Sequence, residues 1–152
     1  MDVSIIYVNY RTSRLVIDSI NSVKEKTQGI LYEIIIVDNN SGDGSLAKIQ
    51  EIHPDVITIQ SEKNVGFGQA NNLGLKKADG KYIFFLNPDT LLRNNAIGEL
   101  FRFLELNMNV GACGGNLYDE EGNATTSFSR KYTVFFMGVI GNLIYTFTMF
   151  FV

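Results

Sequence analysis

Short apolar runs alternate with helical periodicities along this chain, and that alternation limits the fold more narrowly than any other feature. Residues 3–8 form an apolar run broken only by Ser4, and residues 34–37, 56–59 and 82–86 repeat the pattern. Runs that are apolar at successive positions, rather than at every second one, belong to strands covered on both faces. Val16, Ile20 and Val23 fall at i, i+4 and i+7, so a helix capped by Thr12 or Ser13 is predicted after the first run, with Gly29 as its stop. Further helices are predicted over Ser45–Ile52, ended by Pro54, and over residues 69–78, closed by Gly80. Another follows Asn95, with Ile97, Leu100, Phe101 and Leu104 facing inward. Residues 110–117 read as a fifth strand, and 119–123 as a turn into 124–130. This β-α-β-α order predicts an α/β fold with a mostly parallel, doubly wound sheet.

Composition narrows the partners. A length of 152 residues suits one domain, and a net charge of -3 with no Lys/Arg stripe argues against nucleic acid. The single cysteine, Cys113, rules out an intrachain disulfide and fits a reducing compartment. Its apolar surroundings predict a buried core thiol. The N-terminus enters a strand with no basic segment ahead of it, so no signal peptide is expected and the location predicted is cytoplasmic. Residues 132–152 differ from the rest: they carry no charge and follow Arg130 and Lys131. A stretch of about 20 apolar residues suffices to span a hydrocarbon core. The division expected is therefore a domain over 1–131 and an apolar segment over 132–152. That segment either contacts the inner face of a membrane or packs as a core helix against further protein.

Three polar motifs follow the strands. Asn87-Pro88-Asp89-Thr90 comes directly after the run at 82–86. The carboxyl edge of an open α/β sheet is where ligands bind. Asp89 offers the hard anionic oxygen that a divalent cation on phosphates requires, although Asn-Pro-Asp is also an ordinary turn sequence. The second motif is Val37-Asp38-Asn39-Asn40-Ser41-Gly42-Asp43-Gly44-Ser45. Asp38 there either accepts hydrogen bonds from a pyrimidine N–H or ribose hydroxyl, or caps the following turn with Asn39 and Ser41. Asp43, between two glycines, reads as a turn or helix-cap residue. The third motif is Asn64-Val65-Gly66-Phe67-Gly68-Gln69-Ala70-Asn71-Asn72-Leu73-Gly74. Gly66 and Gly68 before a helix favour close approach of a phosphate to backbone N–H groups. Asn71 and Asn72 are poor helix formers, which suggests a polar task. His53 beside Pro54 is expected to be an exposed helix-end residue, and Asp119-Glu120-Glu121-Gly122-Asn123 a hairpin turn rather than a source of a catalytic base.

Those three motifs, in that order, together with the opening Val3-Ser4-Ile5-Ile6-Tyr7-Val8-Asn9-Tyr10, resemble the family-two glycosyltransferases with the GT-A fold, and within them the rhamnosyltransferase-like branch. The resemblance runs from about residue 3 to about residue 130. It implies a Rossmann-like, nucleotide-sugar-binding GT-A-like domain. The transfer implied is of a hexose, rhamnose among the candidates, from a nucleotide-diphosphate sugar to a glycan hydroxyl, with inversion. It implies donor-site roles for Val8, Asn9, Tyr10, Asp38, Asn40, Asn64, Gly66, Phe67, Asn71, Asn87 and Asp89. Asp89 would hold Mg²⁺ or Mn²⁺, with Asn87 standing where the family commonly has a second Asp. The family's base is an acidic residue well downstream, and nothing after Arg130 is acidic. The expectation is therefore a truncated chain of unassigned base, alone inactive in transfer. The alternative is a non-catalytic nucleotide-binding module.

Overall fold

The computed structural model describes residues 1–119, 121–125 and 148–151. Four parallel strands, β1 (Val3–Asn9), β2 (Tyr32–Asp38), β3 (Ile57–Gln60) and β4 (Tyr82–Phe85), build its sheet in the order β3-β2-β1-β4. The helices between them are α1 (Ser13–Lys26), α2 (Ser45–Ile52) and α3 (Phe67–Leu75), and α4 (Ala96–Leu106) follows β4. The alternation predicted from the sequence is thus present, with the strand order of a doubly wound fold. The order reverses between β1 and β4. Beyond β4 lie two more strands, β8 (Thr148–Phe151) and β5 (Ala112–Cys113), with β8 antiparallel to both neighbours.

Side chains along each strand alternate between two faces. Val3, Ile5 and Tyr7 of β1 meet Ile34 and Ile36 of β2 and the fully buried Val16, Ile20 and Val23 of α1. Ile49 of α2 and Ile97 and Leu104 of α4 complete this larger core. On the opposite face Val8 and Val37 pack with Ala70 of α3. Gly74 decides how close α3 comes: a Cβ there would lie 2.6 Å from Ile6 Cγ2 and 3.3 Å from Val37 Cγ2.

Several elements differ from the sequence expectation. The third helix begins at Phe67 and ends at Leu75, so Gly68 lies inside it rather than before it. Lys77 N–H to Gly74 O and Ala78 N–H to Leu75 O carry the chain onward as a tight turn. Gly80 is no helix stop; a Cβ there would strike the Ser4 backbone, so glycine is what lets the chain pass β1. The strand expected over 110–117 is split into β5 and β6 (Leu117–Tyr118), with Gly114 and Gly115 between them. β6 pairs with β7 (Ala124–Thr125) around the expected turn, closed by Gly122 N–H to Asp119 O.

His53 is buried rather than exposed. It caps the C-terminus of α2 and meets Lys24 of α1, whose Nζ lies 3.3 Å from His53 Nδ1. Cys113 is half-buried, not fully buried, and packs at the margin of the larger core. Of the apolar segment, residues 148–151 form a strand of the sheet; the remainder of 132–152, and most of 124–130, lie outside the described residues. No helix among the described residues is long and apolar enough to cross a membrane.

Candidate functional site

The loops after β1, β2, β3 and β4 carry the polar motifs, and a buried brace ties the first two together. Asn9 and Asp38 end neighbouring strands in register and are 0% and 2% exposed. Asn9 Nδ2 donates to Asp38 Oδ1 at 2.6 Å and to Ser41 Oγ at 3.2 Å. Its Oδ1 accepts from Thr12 N–H and Thr12 Oγ1, which fixes the start of α1. Asp38 also accepts from Ser41 Oγ and Ser41 N–H, and from Gln60 Nε2 at 2.9 Å. Burial alone would raise the Asp38 pKa. The hydrogen bonds from Ser41, Gln60 and Asn9 outweigh that and hold it below the ordinary carboxylate value. Asp38 is therefore ionised at neutral pH. The brace bends the loops sharply: Arg11 and Asn40 adopt φ of +58° and +64°. Arg11 N–H donates to Ser41 Oγ, and its guanidinium lies 5.4 Å from the centre of the Tyr10 ring.

The Asn-Pro-Asp motif is held from below by α1. Thr90 N–H returns to Asn87 O, closing a turn with Pro88 and Asp89 at its centre. Ser19 Oγ donates to Thr90 O at 2.6 Å, so Tyr7 OH, 3.0 Å away, donates to Ser19. Burial pushes the Tyr7 hydroxyl far above its ordinary pKa, and it remains a neutral donor. Ser22 Oγ accepts from Leu92 N–H just beyond the turn.

A cleft of about 460 Å³ opens between these loops. Val8, Tyr10, Asn64, Gly66, Phe67, Asn87 and Asp89, all singled out from the sequence, line it together. Thr12, Leu15, Asn39 and Pro88 line it too, and sequence reasoning had given none of these four a place there. Asn39 could have been suspected from its position one residue after a strand. Asn9 and Asp38 lie beneath the loops rather than on the cleft wall. Asn40 is exposed on its loop, and Asn71 is buried in α3 with its Oδ1 unpartnered. Asp38 lines a separate hollow of about 360 Å³ with Gly42, Asp43, Gly44 and Ser45 at the start of α2, where Asp43 Oδ1 accepts from Ser45 N–H and Ser45 Oγ.

The cleft combines aromatic edges with a phosphate-friendly end. Tyr10 and Phe67 are 43% and 37% exposed, enough to present ring faces to a planar base. The opening turn of a helix leaves N–H groups without intrahelical partners, and α3 starts at the cleft. Asp89 is exposed, and among the described residues it is the one acidic side chain on the cleft wall. Among the described residues no three His, Cys, Asp or Glu side chains stand close enough to hold a metal unaided. Asn87 and Asp89 nonetheless supply a neutral and an anionic oxygen at one turn. That donor set fits a hard divalent cation whose coordination a diphosphate completes.

The glycosyl transferase family 2 model matches residues 4–151 of this sequence. The chain belongs to that family. Its parallel sheet has the fold of a GT-A glycosyltransferase domain. Among curated relatives, the minor teichoic acid biosynthesis protein GgaB of Bacillus subtilis is 30% identical over 112 residues, covering 71% of this chain and 12% of GgaB. Among solved structures, Staphylococcus aureus TarS in complex with UDP superposes with a TM-score of 0.71 at 19% identity, covering 84% of this chain and 39% of that one. The mannosyltransferase PcManGT of Pyrobaculum calidifontis, in complex with GDP-Man and Mn²⁺, gives 0.68 at 22% identity, covering 77% and 35%. The family-2 chain described here therefore spans well under half the length of these proteins.

Proposed function

We propose that this family-2 chain is the donor-binding part of a glycosyltransferase that passes a hexose from a nucleotide-diphosphate sugar to a hydroxyl of a glycan. The observation that carries the reading is the convergence of Tyr10, Asn64–Phe67 and Asn87–Asp89 on one cleft at the strand-order reversal. Tyr10 stacks on the base over the apolar floor of Val8. The diphosphate lies toward Gly66, Phe67 and the start of α3. Asn87 and Asp89 would hold Mg²⁺ or Mn²⁺, which would supply Lewis-acid relief of the charge on the departing diphosphate. Asp38, ionised and braced, supports the donor site from beneath by tying Asn9 and Ser41, and with them the loops that carry Tyr10 and Asn40, together. Displacement at the sugar carbon by the acceptor hydroxyl proceeds with inversion and general-base help, and rhamnose is among the sugars the cleft is proposed to serve. Support for a nucleotide donor comes from the UDP and GDP-Man bound in the two structures of like fold.

A second reading is favoured by one observation: among the described residues Asp89 is the sole carboxylate on the cleft wall. A site with its only carboxylate committed to a metal has no acid left to act as base, and would bind donor without transferring it. In location, we propose the cytoplasm, with the stretch 132–152 either contacting the membrane's inner face or packing as core. The pair Arg130–Lys131 ahead of the uncharged stretch 132–152 supports such contact, and the strand at 148–151 supports core packing instead.

Thermal unfolding with a panel of UDP-, dTDP- and GDP-sugars plus Mn²⁺ tests the donor reading. A ligand at 100 times its Kd stabilises the fold by about 2.7 kcal/mol, so one nucleotide class is expected to raise the Tm clearly. A flat response across the panel contradicts the reading.

A further inference from the structure

We propose that Asn39 is a positioning residue that sets the donor cleft by fixing the amide of Asn64 and the start of α3. The proposal rests on the donor-site reading above and adds a residue to it. Asn39 follows β2, is 4% exposed, and has its backbone N–H and both side-chain polar atoms engaged. Its backbone N–H donates to Asn9 O at 2.8 Å, tying it to the end of β1. Its Oδ1 accepts from Val65 N–H at 2.9 Å, and its Nδ2 donates to Asn64 Oδ1 at 2.9 Å. Asn64 Oδ1 also accepts from Gly66 N–H at 3.0 Å.

These bonds leave no freedom in either amide. Val65 N–H can only donate, so it fixes the Asn39 oxygen toward residue 65 and the NH₂ toward Asn64. Asn64 must then present its oxygen, a choice that Gly66 N–H enforces a second time. The Asn64 Nδ2 group takes no part in these bonds, and its two donors stay available on an exposed residue of the cleft wall. The same bond holds Gly66 at φ +82° and ψ 163°, a conformation only glycine adopts readily, and from there Phe67 starts α3. Asn39 thus determines which way Asn64 faces the ligand and where the helix N-terminus points, from a buried position on the cleft wall.

Asn39→Asp cuts this chain at one bond. A carboxylate still accepts from Val65 N–H but has no donor for Asn64, so Asn64 turns its NH₂ inward and Gly66 N–H loses its acceptor. The expected result, by amide exchange monitored by NMR without ligand, is faster exchange at Gly66 by about tenfold with Val65 unchanged. UDP or GDP affinity with Mn²⁺, per folded molecule, is expected to fall about three- to tenfold, beside the loss of Tm that burying a carboxylate brings. Where a buried carboxylate prevents folding, Asn39→Ala serves: both amides then exchange faster and affinity falls likewise. Wild-type affinity in a variant whose Gly66 has lost protection overturns the positioning role, and so does Gly66 protection that stays intact. A merely structural role would lower the Tm and leave affinity per folded molecule unaltered, which also overturns it. Absence of nucleotide binding by the wild-type chain overturns the donor reading itself, and with it any role for Asn39 in donor binding.

Discussion

Asp38 and Asp89 illustrate how two carboxylates at the same sheet edge are given different work by their surroundings. Asp38 is buried and accepts from three neighbouring residues, so its charge is spent on holding loops. Asp89 is exposed at the tip of a turn, with its carboxylate facing solvent and the cleft. The motifs marked both as acidic residues after strands, but the local sequence could not say which would be enclosed; that depends on Asn9 and Gln60, which lie 29 and 22 residues away. If Asp89 holds the cation, Asp89→Asn should weaken Mn²⁺-dependent UDP or GDP binding about ten- to a hundredfold, with little change in binding measured in excess chelator. Calorimetric titration with and without Mn²⁺ checks this. His53 carries a different prediction. Burial first, and the Lys24 charge second, hold its imidazole below the ordinary value, against the opposing pull of Asp55. Between about pH 6.5 and that lower value, the unfolded chain binds a proton that the folded chain refuses. Stability should therefore fall as pH drops through this window and recover as it rises. Melting curves from pH 7.5 to 5 should show the decline, and His53→Gln should flatten it.

At the level of elements, helix and strand order was legible because each periodicity is local. Ser45–Ile52 matches its predicted span, and Val16, Ile20 and Val23 are all buried as their spacing requires. Boundaries failed where a glycine's reason for being there is tertiary. Gly80 reads as a helix stop but serves the passage past Ser4, and Gly68 reads as a loop residue but lies in the first turn of α3. His53 was misplaced for a similar reason: helix-end position says nothing of α1 folding over it. Asn95 does occupy the N-cap of α4, yet its side chain bonds the backbone of Gln28 in both directions rather than the helix. Gly74 tests the packing of α3 on the sheet. Gly74→Ala improves intrinsic helix propensity but drives a methyl into Ile6 and Val37. Overpacking of this kind costs about 1–3 kcal/mol, so denaturant unfolding should show net destabilisation. An unchanged or higher midpoint would mean that α3 has room to move outward.

Across the whole molecule, the two faces of the sheet are unequally covered. α1, α2 and α4 pack on one side, while among the described residues α3 covers the other. The cleft sits where the strand order reverses, and its walls come from four loops spaced some 25 to 29 residues apart in sequence, at Tyr10, Asn39, Asn64 and Asp89. Each loop could be suspected alone; their convergence follows only from the order β3-β2-β1-β4, which sequence periodicity does not supply. The separate hollow beside Asp38 and the start of α2 could not be told from the cleft in sequence, since both follow strands and both contain glycines. The most direct test of the account is therefore where a nucleotide lands. Amide chemical-shift mapping on titration with UDP and GDP, repeated with a trace of Mn²⁺, reads this residue by residue. The account predicts shifts centred on Tyr10, Gly66 and Phe67 and Mn²⁺ broadening centred on Asn87 and Asp89. Shifts centred instead on Gly42–Ser45, or broadening that ignores the Asn-Pro-Asp turn, would contradict it.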